Sequence, residues 1–101
     1  MRSVSIHDLK SALDDGEAEV VDVREPAEYA DGHVPGARLV PLATVPLNLA
    51  DFPTDRPVYV VCQSGGRSGQ AAQFLAQRGV DAVNVDGGTG DWMAAGYPVE
   101  R

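Results

Sequence analysis

Four short apolar runs punctuate this chain, and stretches with helical character fall between them. The runs are Glu19-Val20-Val21-Asp22-Val23, Arg38-Leu39-Val40, Val58-Tyr59-Val60-Val61 and Ala82-Val83-Asn84-Val85. Each is too short for a helix and rich in residues that suit a pleated surface. Strands separated by helices cannot close as hairpins; they pair in parallel through right-handed crossovers. The expectation is an α/β fold, a small parallel sheet flanked by helices on both faces. With 101 residues, 44% of them hydrophobic, the chain suffices for one such domain over residues 1–101.

The intervening segments carry their own punctuation. Ser5-Ile6-His7-Asp8 offers an N-cap with an acid three residues later, a weaker form of the capping box. Ile6, Leu9, Leu13 and Ala12 follow on one face, and Gly16 is a stop. Pro26 suits the first turn of a brief helix from Glu25 to Ala30. Residues 31–37 are loop. Leu42 to Leu49 holds at most a short helix, because Pro46 interrupts it. Ser68 to Arg78 reads as a helix that turns Ala71, Ala72, Leu75 and Ala76 inward and ends at Gly79. Gly87-Gly88 opens a last short helix around Trp92 and Met93, closed by Gly96.

The single cysteine, Cys62, stands at the carboxyl end of the Val58–Val61 run and opens Cys62-Gln63-Ser64-Gly65-Gly66-Arg67-Ser68. A lone cysteine in a globular domain is most often a small buried hydrophobe. A structural cysteine, however, has no need of two glycines, two hydroxyls and an arginine in the next six positions. Ser64, Gly65 and Gly66 let the backbone curl so that its N–H groups turn inward. Ser68 marks the expected start of a helix, whose positive end would face the sulfur. Each feature favours Cys–S⁻, the reactive form of the side chain. Ligands in open α/β sheets sit beyond the carboxyl ends of the strands, which is where Cys62 falls.

Charge narrows the partners. A net charge of −7 argues against nucleic acid or an anionic membrane, both of which reward basic patches. An anion pocket survives in this acidic chain because contacts at bonding distance outweigh carboxylates beyond a Debye length of about 8 Å. The N-terminus, Met1-Arg2-Ser3-Val4-Ser5, has no apolar signal-like core, and one cysteine permits no internal disulfide. The expected location is cytoplasmic. Two scattered histidines and one cysteine do not form a metal site, and no cofactor is expected.

Three segments together resemble the rhodanese-like family in its single-domain form. Val21-Asp22-Val23-Arg24-Glu25, Glu28-Tyr29 and Gly32-His33-Val34-Pro35-Gly36-Ala37 are similar to its N-terminal signature. The loop from Cys62 to Ser68 resembles its active-site loop. Gly87-Gly88, Trp92 and Gly96-Tyr97-Pro98-Val99 resemble its closing segment. The resemblance implies a sulfurtransferase of the thiosulfate sulfurtransferase (rhodanese) type. Cys62 would take a sulfane sulfur from thiosulfate or a persulfide, become a persulfide, and pass the outer sulfur to a thiol or cyanide. Gln63, Ser64, Gly65, Gly66 and Ser68 would hold the anionic sulfur through their backbone, and Arg67 would add positive charge. A protein donor or acceptor is the further partner implied.

The remaining family residues carry structural expectations. Asp22, Arg24 and Glu25 are expected in hydrogen bonds and ion pairs near the end of their strand, His33 in a structural role, Trp92 in the core and His7 at the surface. Members that use thiosulfate well carry extra cations in the loop; here positions 63 to 66 are neutral, so efficient thiosulfate turnover is not implied. The loop also has the shorter length associated with sulfur transfer, whereas related phosphatases and arsenate reductases use one residue more. An alternative is a carrier or interaction module that relays persulfide sulfur between proteins with little small-molecule turnover. A cysteine phosphatase is a weaker reading, given the short loop, and a non-catalytic regulatory domain would have no need of the cysteine.

Overall fold

The computed structural model describes residues 1–16 and 18–101. Five parallel strands form one sheet in the order β1-β5-β4-β2-β3. They are β1 (Arg2–Val4), β2 (Glu19–Asp22), β3 (Arg38–Leu39), β4 (Val58–Val61) and β5 (Ala82–Val85). Among the described residues, four helices, α1 (Ile6–Asp14), α2 (Pro26–Asp31), α3 (Gly66–Ala76) and α4 (Gly88–Ala94), and a 3₁₀ segment over Leu42–Asp51 accompany the sheet.

The order reverses between β2 and β4. From β2 the chain crosses outward to β3, whereas from β4 it crosses the other way to β5. Crossovers of one hand that travel in opposite directions lie on opposite faces of the sheet. The core is accordingly split in two. On one face Val21, Val23, Val58, Val60 and Cys62 pack under Ala71, Ala72 and Leu75 of α3 and Val45 of the 3₁₀ segment. On the other, Val20, Val61 and Val85 meet Ile6 and Leu9 of α1, Trp92 of α4 and the partly buried Tyr29 of α2. The alternating residues of β4 supply both clusters, as a central strand with period two requires.

Local chemistry explains most boundaries. Ser5 caps α1 through a full capping box: its Oγ accepts the Asp8 N–H and the Asp8 carboxylate accepts the Ser5 N–H, both at 3.2 Å. Pro26 opens α2, where its missing N–H leaves no bond unmade. Pro46 keeps the 42–51 segment in short 3₁₀ turns, which break at Asn48.

Two expectations from sequence need correction. β1 was absent from them: its three residues are largely exposed and it exists by pairing with β5, Arg2 to Val83 through Val4 to Val85. The helix after the cysteine starts at Gly66 rather than Ser68. Its cap is Gly65, held at φ 115°, a left-handed conformation that glycine reaches without a Cβ clash. Ser68 therefore lies inside the first turn. Among the described residues no helix is long and apolar enough to cross a membrane.

Candidate active site

The reversal between β2 and β4 opens a crevice at the carboxyl ends of those strands, where Asp22 pairs with Val61, the residue before Cys62. Cys62 follows β4 directly, is a free thiol and is 1% exposed. Its Sγ accepts the Gly65 N–H at 3.0 Å and lies 3.3 Å from Ser68 Oγ. Burial pushes the thiol pKa up. The Ser68 hydroxyl and the N–H groups of Ser68, Gly65 and Ser64 pull it down, and the net shift is downward. Hydrogen bonds thus outweigh desolvation and shift Cys62 toward the thiolate relative to a free cysteine.

Further contacts fix the loop from below. The Thr89 N–H donates to the Cys62 carbonyl at 2.8 Å and the Gly90 N–H to the Gln63 carbonyl at 2.9 Å, so the first turn of α4 grips the loop backbone. Gly88 is required for this approach, because a Cβ there would overlap the Cys62 carbonyl oxygen. Arg24 holds the other side. It is 2% exposed, it donates through Nε and Nη2 to the carboxylate of fully buried Asp22, and its Nη2 reaches the Gly32 carbonyl. Its Nη1 donates to Gln63 Oε1 at 3.2 Å, tying the loop to β2.

Arg67 sits at the start of α3, but its guanidinium makes a bidentate pair with Glu28 of α2, at 2.8 and 2.9 Å. Glu28 also accepts the Glu25 N–H at the start of α2. The pair holds the Glu28 carboxyl at about 2, with the Arg67 hydrogen bond the largest cause, and raises Arg67 further above its usual range. Beside Arg67 opens a cavity of about 550 Å³, walled chiefly by apolar side chains that include Val23, Leu42, Val45 and Phe74.

Of the loop residues named from sequence, Ser64, Gly65 and Ser68 meet the sulfur, and the others have different duties. Gly65 and Ser64 present N–H groups, Gln63 is an anchor, Gly66 opens the helix, Ser68 offers a hydroxyl, and Arg67 is engaged by an acid. Asp22 and Arg24 form the ion pair expected of them. His33 is buried, stacked on Tyr29 at 3.6 Å between ring centroids, with Nδ1 2.9 Å from the Tyr29 carbonyl. His7 is exposed, and Trp92 is buried with Nε1–H donating to the Pro98 carbonyl. Sequence reasoning missed Glu28 as the partner of Arg67, and it missed Asn84. The Asn84 Oδ1 lies 2.6 Å from Ser68 Oγ. The signal available for Asn84 was a polar residue within a four-residue strand that is buried throughout.

The rhodanese-like domain matches this chain over residues 5–95. A protein of Allochromatium vinosum named sulfurtransferase is 41% identical over 81 residues, which make up 79% of this chain and 76% of that one. A solved structure from Staphylococcus saprophyticus superposes with a TM-score of 0.91 at 39% identity, covering 100% of both chains. A rhodanese-related protein from Thermoplasma volcanium gives 0.93 at 33% identity, over 99% of this chain and 98% of the other. With the cysteine loop, its helix and the Gly-Gly grip in place, the chain belongs to the rhodanese-like family.

Proposed function

We propose that this protein is a sulfurtransferase that carries sulfane sulfur on Cys62. The observation that carries the reading is the sulfur itself: a buried thiol that hydrogen bonds pull toward the thiolate, at the mouth of a helix. Family membership and the similarity to the Allochromatium vinosum sulfurtransferase support it. In the first half-reaction the Cys62 thiolate attacks the outer sulfur of the donor. The new S–S bond forms as the donor's S–S bond breaks, and its electron pair leaves with sulfite or a thiolate. In the second, a thiolate or cyanide attacks the outer sulfur of the persulfide and the Cys62 thiolate departs. The N–H groups of Ser64 and Gly65 meet negative charge in every anionic state of that cycle.

The Arg67–Glu28 pair favours persulfide donors over thiosulfate. The loop's only guanidinium is already neutralised by Glu28, and Gln63, Ser64, Gly65 and Gly66 add no charge. A protein acceptor or donor fits the same chemistry, with sulfur relayed between cysteines. Mass spectrometry after incubation with thiosulfate, and separately with glutathione persulfide, tests the reading. One added sulfur on Cys62, discharged by cyanide or thiol and absent in Cys62→Ser, is the expected result. No sulfur-loaded protein from either donor overturns it.

A further inference from the structure

Ser68 has one hydroxyl proton and two acceptors within reach: Asn84 Oδ1 at 2.6 Å and Cys62 Sγ at 3.3 Å. It can donate to only one of them at a time. While Cys62 is a thiol, the shorter contact takes the proton and Ser68 turns lone pairs toward the sulfur; when Ser68 donates to Sγ instead, it supplies the hydroxyl hydrogen bond that draws Cys62 toward the thiolate. The first arrangement suits a thiol, whose S–H donates to Oγ, and leaves a thiolate without the hydroxyl. For Ser68 to donate to a thiolate, the Asn84 amide must turn over so that Nδ2–H₂ donates to Oγ.

The far side of Asn84 decides what that turn costs. Its Nδ2 donates to Asp86 Oδ1 through a long 3.4 Å contact. Turned over, Asn84 would present its own carbonyl oxygen to the Asp86 carboxylate, acceptor against acceptor. Packing leaves the amide these two orientations, because Asn84 is 7% exposed and stands against Gly69 of α3.

We propose that Asn84 is a positioning residue for Cys62, a two-way amide that sets the direction of the Ser68 proton, and that Asp86 biases it toward the orientation that withholds this proton from the sulfur. The chain Asp86–Asn84–Ser68–Cys62 then has two self-consistent states. In one, the side-chain donors of Asn84 and Ser68 point away from the sulfur and Cys62 is a thiol. In the other, the amide is reversed, Ser68 donates to the anionic sulfur and Asp86 faces water. Loading or deprotonating Cys62 selects the second state.

Other charges face this chain and must be separated from it. Arg67 lies in the Cys62 loop with Glu28 of α2 upon it, and the Asp22–Arg24 pair of β2 backs Gln63. His7 of α1 and Asp91 of α4 share a shallow surface cavity with Asp86. A through-space effect of any of these on the sulfur needs no Ser68 hydroxyl. The proposed effect does.

The pH profile of Cys62 alkylation by iodoacetamide, a neutral reagent, separates them in wild type, Asp86→Asn, Ser68→Ala and the double variant. Asp86→Asn keeps shape, removes the charge and accepts or donates equally well to Asn84. Its alkylation midpoint should fall, with about threefold faster reaction below the midpoint, by the scale on which one unit is tenfold. In the Ser68→Ala background the same change should do nothing. An equal shift in both backgrounds, or none in either, overturns the proposal. NMR gives a second reading: the Asn84 side-chain amide resonances should move with the Cys62 titration, and their constancy across it overturns the flip. The proposal rests on the thiolate of the sulfurtransferase reading, but alkylation requires no sulfur transfer. Intact persulfide formation with no Asp86–Ser68 coupling would remove this inference alone.

Discussion

Two arginines serve the Cys62 loop, Arg24 beside it and Arg67 within it, and they are held in opposite ways. Arg24 is buried to 2% exposure, bound to a fully buried carboxylate, a backbone carbonyl and a loop amide. Arg67 keeps 38% of its side chain in solvent and, among the described residues, has one partner, Glu28, whose side chain is 34% exposed. A buried pair holds position because either charge left alone would be costly. An exposed pair gains little, since water competes for both ions. Arg24 is therefore part of the frame that fixes the loop. Arg67 is a clip, able to exchange a protein carboxylate for a substrate anion at small cost.

Removing the frame should produce the largest effect. Arg24→Ala leaves Asp22 charged, buried and unpaired, a change that costs about 3–5 kcal/mol. Urea denaturation is the measurement, and a loss below about 1 kcal/mol would mean that water reaches Asp22 and that the two arginines are alike.

Arg67→Ala should separate stability from function. Stability should change by less than about 1 kcal/mol, as for other exposed pairs. Turnover with thiosulfate should fall about tenfold in kcat/KM, the loss of one charge-assisted contact. A neutral polysulfide donor should be unaffected. Equal losses for both donors would place Arg67 in the frame with Arg24.

Glu28→Gln probes the clip from its other half. It leaves Arg67 charged and free to meet an anion, so kcat/KM for thiosulfate should rise about threefold, the scale of one exposed ion pair. A fall would show that Glu28 holds Arg67 in its productive position.

The frame and the clip were unequally legible in the sequence. The strand periodicity, the Ser5 cap and the placement of Cys62 at a strand end follow from local patterns, which one stretch of chain is enough to reveal. Asp22 and Arg24 are two residues apart, so their pairing near a strand end was within reach. Glu28 and Arg67 are 39 residues apart, and nothing local joins them; the α2–α3 approach is a product of the sheet order. Ser68 misled because serine favours the N-cap position. Here Gly65 takes the cap, and Ser68 is left to face the sulfur and Asn84. β1 was invisible for a related reason, since only the exposed edge of β5 gives those residues a partner.

Acid should undo the clip last and least. The Glu28 carboxyl titrates at about 2 in the folded protein, below its ordinary 4.5, chiefly because Arg67 donates to it. A depressed folded pKa stabilises the protein fully above the unfolded value and ceases to do so as pH falls through the folded one. The contribution is therefore constant through neutral pH and lost between about 4.5 and about 2. Solvent screening of so exposed a pair keeps it under about 1 kcal/mol. The urea midpoints of wild type and Glu28→Gln should differ by a constant amount from pH 8 to pH 5 and converge toward about 2. No change in that difference between about 4.5 and about 2 would mean that the carboxyl is not held by Arg67 in solution. The clip would then stand open, and the thiosulfate gain expected of Glu28→Gln should disappear with it.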